Sequence, residues 1–163
     1  MQYVEERIKR LLQELETRIY PIKTPVSGIR MKKTREQYDP SAGINTTDWE
    51  VCPPEPLWGG HREYFWFSMG VDIPETFAGM PVEIEVRTGR EEPREKGEEW
   101  GWDALNPQFT AFVNGRIVQG LDINHRDILL TEQAKGGEHF TVVLSAFTGD
   151  QNPTLKLDCR LKA

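Results

Sequence analysis

The strongest constraint on this chain is an alternation of period two that recurs in separated stretches. In "REYFWFSMGV", Phe65, Phe67, Met69 and Val71 fall on one side and Tyr64 and Trp66 on the other. Val82, Ile84 and Val86 alternate with Glu83, Glu85 and Arg87. The same spacing sets Phe109, Ala111 and Val113 on one face, then Phe140, Val142, Leu144 and Ala146, then Leu155, Leu157, Cys159 and Leu161. Side chains of an extended chain point alternately to opposite faces, so each stretch reads as a strand with one buried face. Turn signals separate them at Asn114-Gly115, Gly136-Gly137 and Gly149 to Pro153. No helical pattern falls between these strands, which disfavours a parallel sheet built with crossovers. The expectation is a mainly β fold: an antiparallel β-sandwich, jelly-roll or galactose-binding-like, over residues 21–163.

Residues 1–20 follow a different period. Val4, Ile8, Leu11, Leu12, Leu15 and Ile19 recur at helical spacing, and charged residues fill the other face. Pro21 ends this amphipathic helix. A lone helix of this length is marginal in water, so its stripe calls for a partner. Between the helix and the first long strand, proline punctuates the chain. Short strands are expected near Gly28–Lys33 and Thr47–Cys52.

The length of 163 residues suits one domain with one core. A formal net charge of −6 argues against a general nucleic-acid binder, which needs a basic face for phosphates. No apolar run is long enough to span a bilayer, and the first residues lack the apolar stretch of a secretory signal. Cys52 and Cys159 form no Cys-x-x-Cys pair and read as reduced thiols of a cytoplasmic protein, with a disulfide between them as the alternative.

Several stretches could carry chemistry. In "FVNGRIVQGLDINHRDILL" the Asn-Gly pair predicts a type I′ hairpin, because both central residues of that turn need positive φ. Asp122, Asn124, His125 and Asp127 follow it. Asp122, His125 and Asp127 are ligand types for zinc, but loop Asp and Asn side chains more commonly hold turns through nearby backbone. Trp58, Tyr64 and Trp66 could stack on a sugar, or Trp58 could cap the sandwich. Trp100 and Trp102 sit in an acidic loop, Arg90 to Asp103, which is either a solvated connection or a contact surface. Gly-x-Ser-x-Gly and phosphate-loop motifs are absent from the sequence, and Glu98-Glu99 reads as solvated in a chain so rich in acids.

Taken in order, Trp58-Gly59-Gly60, the aromatic strand ending in Ile73-Pro74, Val113-Asn114-Gly115, Gly120-Leu121-Asp122 and Asn124-His125 carry a resemblance. With the leading helix, the chain from about residue 5 to its end resembles the N-terminal domain of bacterial and fungal α-mannosidases of glycoside hydrolase family 38. The resemblance implies a retaining catalytic domain further along the parent chain. That domain would carry Gly-His-x-His-x-Asp, a divalent metal (usually zinc) and an aspartate nucleophile. This chain has only His61, His125 and His139, none of them in that motif, so no catalytic or metal-binding residue carries over. The resemblance therefore implies a cytosolic accessory domain without activity or cofactor of its own. Its expected partners are the catalytic domain, further copies through the helix stripe, and mannosides at the cleft. Trp58, Trp66, Trp100, Trp102, Asp122 and His125 are the candidate carbohydrate or interdomain contacts. The rival expectations are a free-standing carbohydrate-binding module and a small metal-dependent enzyme around Asp122, His125 and Asp127.

Overall fold

A computed structural model describes residues 2–90, 107–122, 124–150 and 154–163. Helix α1 spans Gln2–Ile19. The strands are β1 (Lys23–Pro25), β2 (Arg30–Lys33), β3 (Glu50–Val51), β4 (Leu57–Gly59), β5 (Tyr64–Asp72), β6 (Val82–Arg90), β7 (Gln108–Val113), β8 (Arg116–Leu121), β9 (Asp127–Thr131), β10 (His139–Phe147) and β11 (Thr154–Lys162). One sheet has the order β1-β11-β6-β9, with β4 also paired to β11; the other runs β3-β2-β5-β10-β7-β8. Every pairing is antiparallel. From β5 onward the chain passes repeatedly between the sheets, and a two-layer β-sandwich results.

The alternation in sequence becomes the two sides of each sheet. Phe67, Met69, Ala111, Val142 and Leu144 from one sheet meet Val82, Ile84, Val86, Leu155 and Leu157 from the other, all fully buried. Val142 lies in register with Met69 and Val113, and Leu144 with Phe67 and Ala111, so apolar rungs cross three strands. Outward positions of β6 and β11 are charged and pair by sign: Glu83 faces Lys162, Glu85 faces Arg160, and Arg87 faces Asp158. Opposite charges directly across antiparallel strands support the register.

The Asn-Gly turn forms as the sequence requires, with φ of 48° at Asn114 and 78° at Gly115. A Cβ on Gly115 would also lie 2.7 Å from the Pro40 carbonyl oxygen, so both backbone conformation and space demand glycine here. Two features of the sandwich had no signal in the alternation. They are the short strands β1 and β4, which are too brief for a period to register.

The outer face of the six-stranded sheet is partly covered. The chain between β2 and β3 crosses it and seals a second small core of Trp49, Trp66, Phe112 and Val143, with Tyr38 and Ile44 against it. Tyr38 meets Trp66 edge-on, with ring centres 5.3 Å apart at 87°.

Helix α1 leaves the sandwich. Val4, Ile8, Leu11, Leu12, Leu15 and Ile19 are 49–62% exposed. Its base is fixed just beyond its last turn. The Tyr20 hydroxyl donates to Glu83 Oε2 at 2.6 Å, the Lys162 ammonium lies 4.2 Å from the Tyr20 ring centre, and Ile22 and Ala163 exchange backbone hydrogen bonds. No described helix is long and apolar enough to cross a membrane.

Candidate functional site

The cover over the outer face stops part-way, and a groove of about 430 Å³ opens beside it. Strand register explains its shape. One rung across β5, β10, β7 and β8 is Trp66, Ser145, Thr110, Gly120. That rung falls from an indole to two small hydroxyl side chains and to no side chain at Gly120. The next rung is Tyr64, Phe147, Gln108. Small polar residues thus floor a hollow, and an aromatic pair stands at its side. The Tyr64 and Phe147 rings have centres 4.7 Å apart and are inclined by 32°. Gln37 from the covering segment and Asp122 beyond β8 complete the rim.

Asp122 is held by its own loop. Its Oδ1 accepts from the backbone N–H of Asn124 at 2.7 Å and of His125 at 2.9 Å, and lies 3.1 Å from His125 Nδ1. The Asn124 N–H, then the His125 ring and N–H, hold the Asp122 carboxyl below its ordinary value of 3.8. The residue therefore shapes the bend and is an anion at neutral pH.

The metal arrangement does not assemble. Asp127 Oδ1 accepts from the Lys162 ammonium at 2.7 Å, away from the Asp122–His125 pair. Among the described residues no three His, Cys, Asp or Glu side chains lie together as a metal site. The residues described here do not fit the divalent ion that the α-mannosidase resemblance associates with its catalytic domain.

The aromatic candidates divide. Trp58 is 4% exposed, packed in the core against Phe65, Phe67 and Phe109. Its indole N–H donates to Thr88 Oγ1 at 3.1 Å, and that hydroxyl donates to the Lys156 carbonyl at 2.8 Å. Trp66 is 2% exposed beneath the covering segment, where its N–H donates to the Glu36 carbonyl at 3.2 Å. Neither offers a ring face to a sugar in this arrangement, because both faces meet protein. Of the three residues considered for stacking, Tyr64 alone lines the groove. His125 is exposed, with 72% of its side chain in solvent. Trp100 and Trp102 lie outside the described residues.

Sequence reasoning passed over Phe147, Gln108, Thr110 and Ser145. Their signal is faint: small or amide side chains, and the one aromatic ring of Phe147, at outward positions of β7 and β10. Only the pairing of those strands with β5 and β8 shows that the positions are neighbours.

No protein-family model and no curated protein matches the chain. Solved structures similar to it include a β-glucuronidase from Ruminococcus gnavus in complex with D-glucaro 1,5-lactone, at 11% identity and a TM-score of 0.52. The same enzyme in complex with D-glucuronic acid gives the same values. Each match covers 87% of this chain and 29% of the other. A β-glucuronidase from Faecalibacterium prausnitzii matches at 13% identity and a TM-score of 0.48, over 76% of this chain and 20% of the other. The chain therefore spans less than a third of each of these structures. At such identity the likeness shows the fold alone: this β-sandwich is of the kind found within the Ruminococcus gnavus enzyme.

Proposed function

We propose that this chain is a non-catalytic β-sandwich accessory domain of a glycoside hydrolase. The observation that carries the reading is the match in fold over 87% of this chain to 29% of a glycosidase chain. Within that class, the ordered motifs from Trp58-Gly59-Gly60 to Asn124-His125 favour a cytosolic α-mannosidase of family 38 as the parent. The roles of those motifs here are architectural. Trp58 is a core ring, Asn114-Gly115 is the hairpin turn, and Asp122 holds a bend. The parent's retaining chemistry and its divalent metal, zinc by the resemblance, belong to the catalytic domain on which this sandwich packs. Apolar side chains left exposed on α1, at Ile117 and Val118 of edge strand β8, and at Leu129 of edge strand β9 provide surface for that packing. Two free cysteines agree with a reducing compartment.

The test is to read the coding frame past Ala163 and assay both the encoded protein and this chain alone on aryl glycosides. The expected result is a longer protein that releases the aglycone from α-mannosides, loses activity to a chelator, and is inactive as residues 1–163. Chelator-sensitive α-mannosidase activity in this chain alone would overturn the accessory role. Cleavage of β-glucuronides but not α-mannosides by the longer protein would keep that role and reject the α-mannosidase.

A further inference from the structure

We propose that the groove on the outer face of the six-stranded sheet binds a neutral pyranose, with Tyr64 and Phe147 as its apolar pad and Gln108, Thr110, Ser145 and Asp122 as polar partners. The choice of sugar rests on the glycosidase reading; the groove itself does not.

A pyranose has two chemistries, a face of C–H groups and a rim of hydroxyls. The tilted ring pair offers an aromatic surface with a polar tip at the Tyr64 hydroxyl, which suits the first. The second needs donors and acceptors together. The Gln108 amide and the Thr110 and Ser145 hydroxyls can each donate and accept, and the Asp122 carboxylate accepts strongly. Among the described residues, the side chains of Tyr64, Gln108, Thr110 and Ser145 make no hydrogen bond, so these groups face the groove uncommitted. Its volume falls in the roughly 300–1,000 Å³ range of small-molecule sites.

Charge narrows the ligand class. None of the described lining residues is cationic, and one is an anion. A uronate or phosphate would meet the Asp122 carboxylate with no cationic residue among the described lining to offset it, and a like charge selects against it. The groove is therefore built for neutral sugars.

Gly120 supplies a clean probe. Its backbone is not left-handed, and a Cβ there would meet nothing nearer than the Phe109 carbonyl oxygen at 3.7 Å. Gly120→Leu therefore fills the groove with little disturbance of the sheet. Tyr64→Ala removes half of the aromatic pad.

The experiment is calorimetric titration of the whole chain, and of both variants, with methyl α-mannoside, an α-mannobiose and glucuronic acid, with thermal melting as the check on folding. The expected result is saturable millimolar binding of the neutral sugars and none of the uronate. Tyr64→Ala should weaken binding about tenfold, and Gly120→Leu should abolish it at an unchanged melting temperature. Absence of binding by the wild-type chain overturns the proposal, and so does binding that Gly120→Leu leaves intact. Uronate binding equal to that of the neutral sugars overturns the assigned class. A parent protein that cleaves α-mannosides while the groove stays silent would reject this inference and leave the accessory role standing.

Discussion

Two tryptophans show how one donor atom sets the cost of a substitution. The Trp58 N–H is paired through Thr88 to the Lys156 carbonyl, in a site closed to water. Thr88→Val keeps the shape and removes the acceptor, leaving a buried indole N–H unpaired. That should cost about 1–3 kcal/mol in urea unfolding. Trp49 is equally buried, but its N–H has no partner among the described residues. Trp49→Phe removes an uncompensated donor together with some apolar area, and the two effects oppose each other. Its expected cost is below about 1 kcal/mol. A Trp49→Phe penalty larger than that of Thr88→Val would show that ring area, not donor satisfaction, governs these sites.

At the scale of elements, strands and helix draw their stability from different sources. Each long strand alternates because one face is buried, and this periodicity made the sandwich legible from sequence. Helix α1 has an equally clear stripe, yet its apolar side chains stay about half exposed or more. Period shows which face of an element is apolar, not what covers it. The groove was hidden for a related reason. The sequence offers Tyr64 as a stacking residue, but Ser145, Thr110 and Gly120 become neighbours only through the pairing of β10, β7 and β8. Trp66 misled because its outward position is covered by the chain between β2 and β3, a stretch without a period. Since α1 contributes no described residue to the core, removing residues 1–19 should leave the sandwich's melting temperature within about 5 °C, allowing up to about 1 kcal/mol for a loosened Tyr20 anchor at the new terminus. The helical circular-dichroism signal should vanish. A much larger drop in melting temperature would mean that α1 folds back on the sheets in solution. Tyr20 stays in that deletion because it anchors the β-layer through Glu83 and Lys162.

For the whole molecule, pH stability follows from where ionisable groups sit relative to the two sheets. Asp39, Asp48 and Asp122 have carboxyls held below their ordinary value of 3.8, by the Ser41 hydroxyl and N–H, by the Lys32 ammonium, and by the Asn124 N–H with His125, respectively. A depressed acid favours the folded state above its unfolded value, and that support is lost as pH falls through the folded value, so the acid limb begins below about pH 4. Cys159 acts at the other end. Its thiol lies between the sheets, where burial, then the neighbouring Asp158 charge, pushes it far above the ordinary 9.0. Cys52 and Cys159 both line a cavity of about 360 Å³, and the Cys52 thiol is raised by burial, then by Glu50. A raised acid favours folding fully below its unfolded value. As pH climbs past 9 the unfolded chain sheds a proton that the folded chain keeps, and stability falls. Tyr20, raised first by burial and then by its bond to Glu83, adds to the same limb from 10.0 upward. Cys159→Ala should therefore lower the melting temperature at neutral pH through the cavity it leaves, yet flatten its decline between about pH 8.5 and 10. The thiol should resist Ellman's reagent in the native protein and react fully in denaturant, because only the thiolate attacks. An alkaline decline that is equally steep in Cys159→Ala would assign that limb to Cys52, Tyr20 and Lys32 instead of the core thiol.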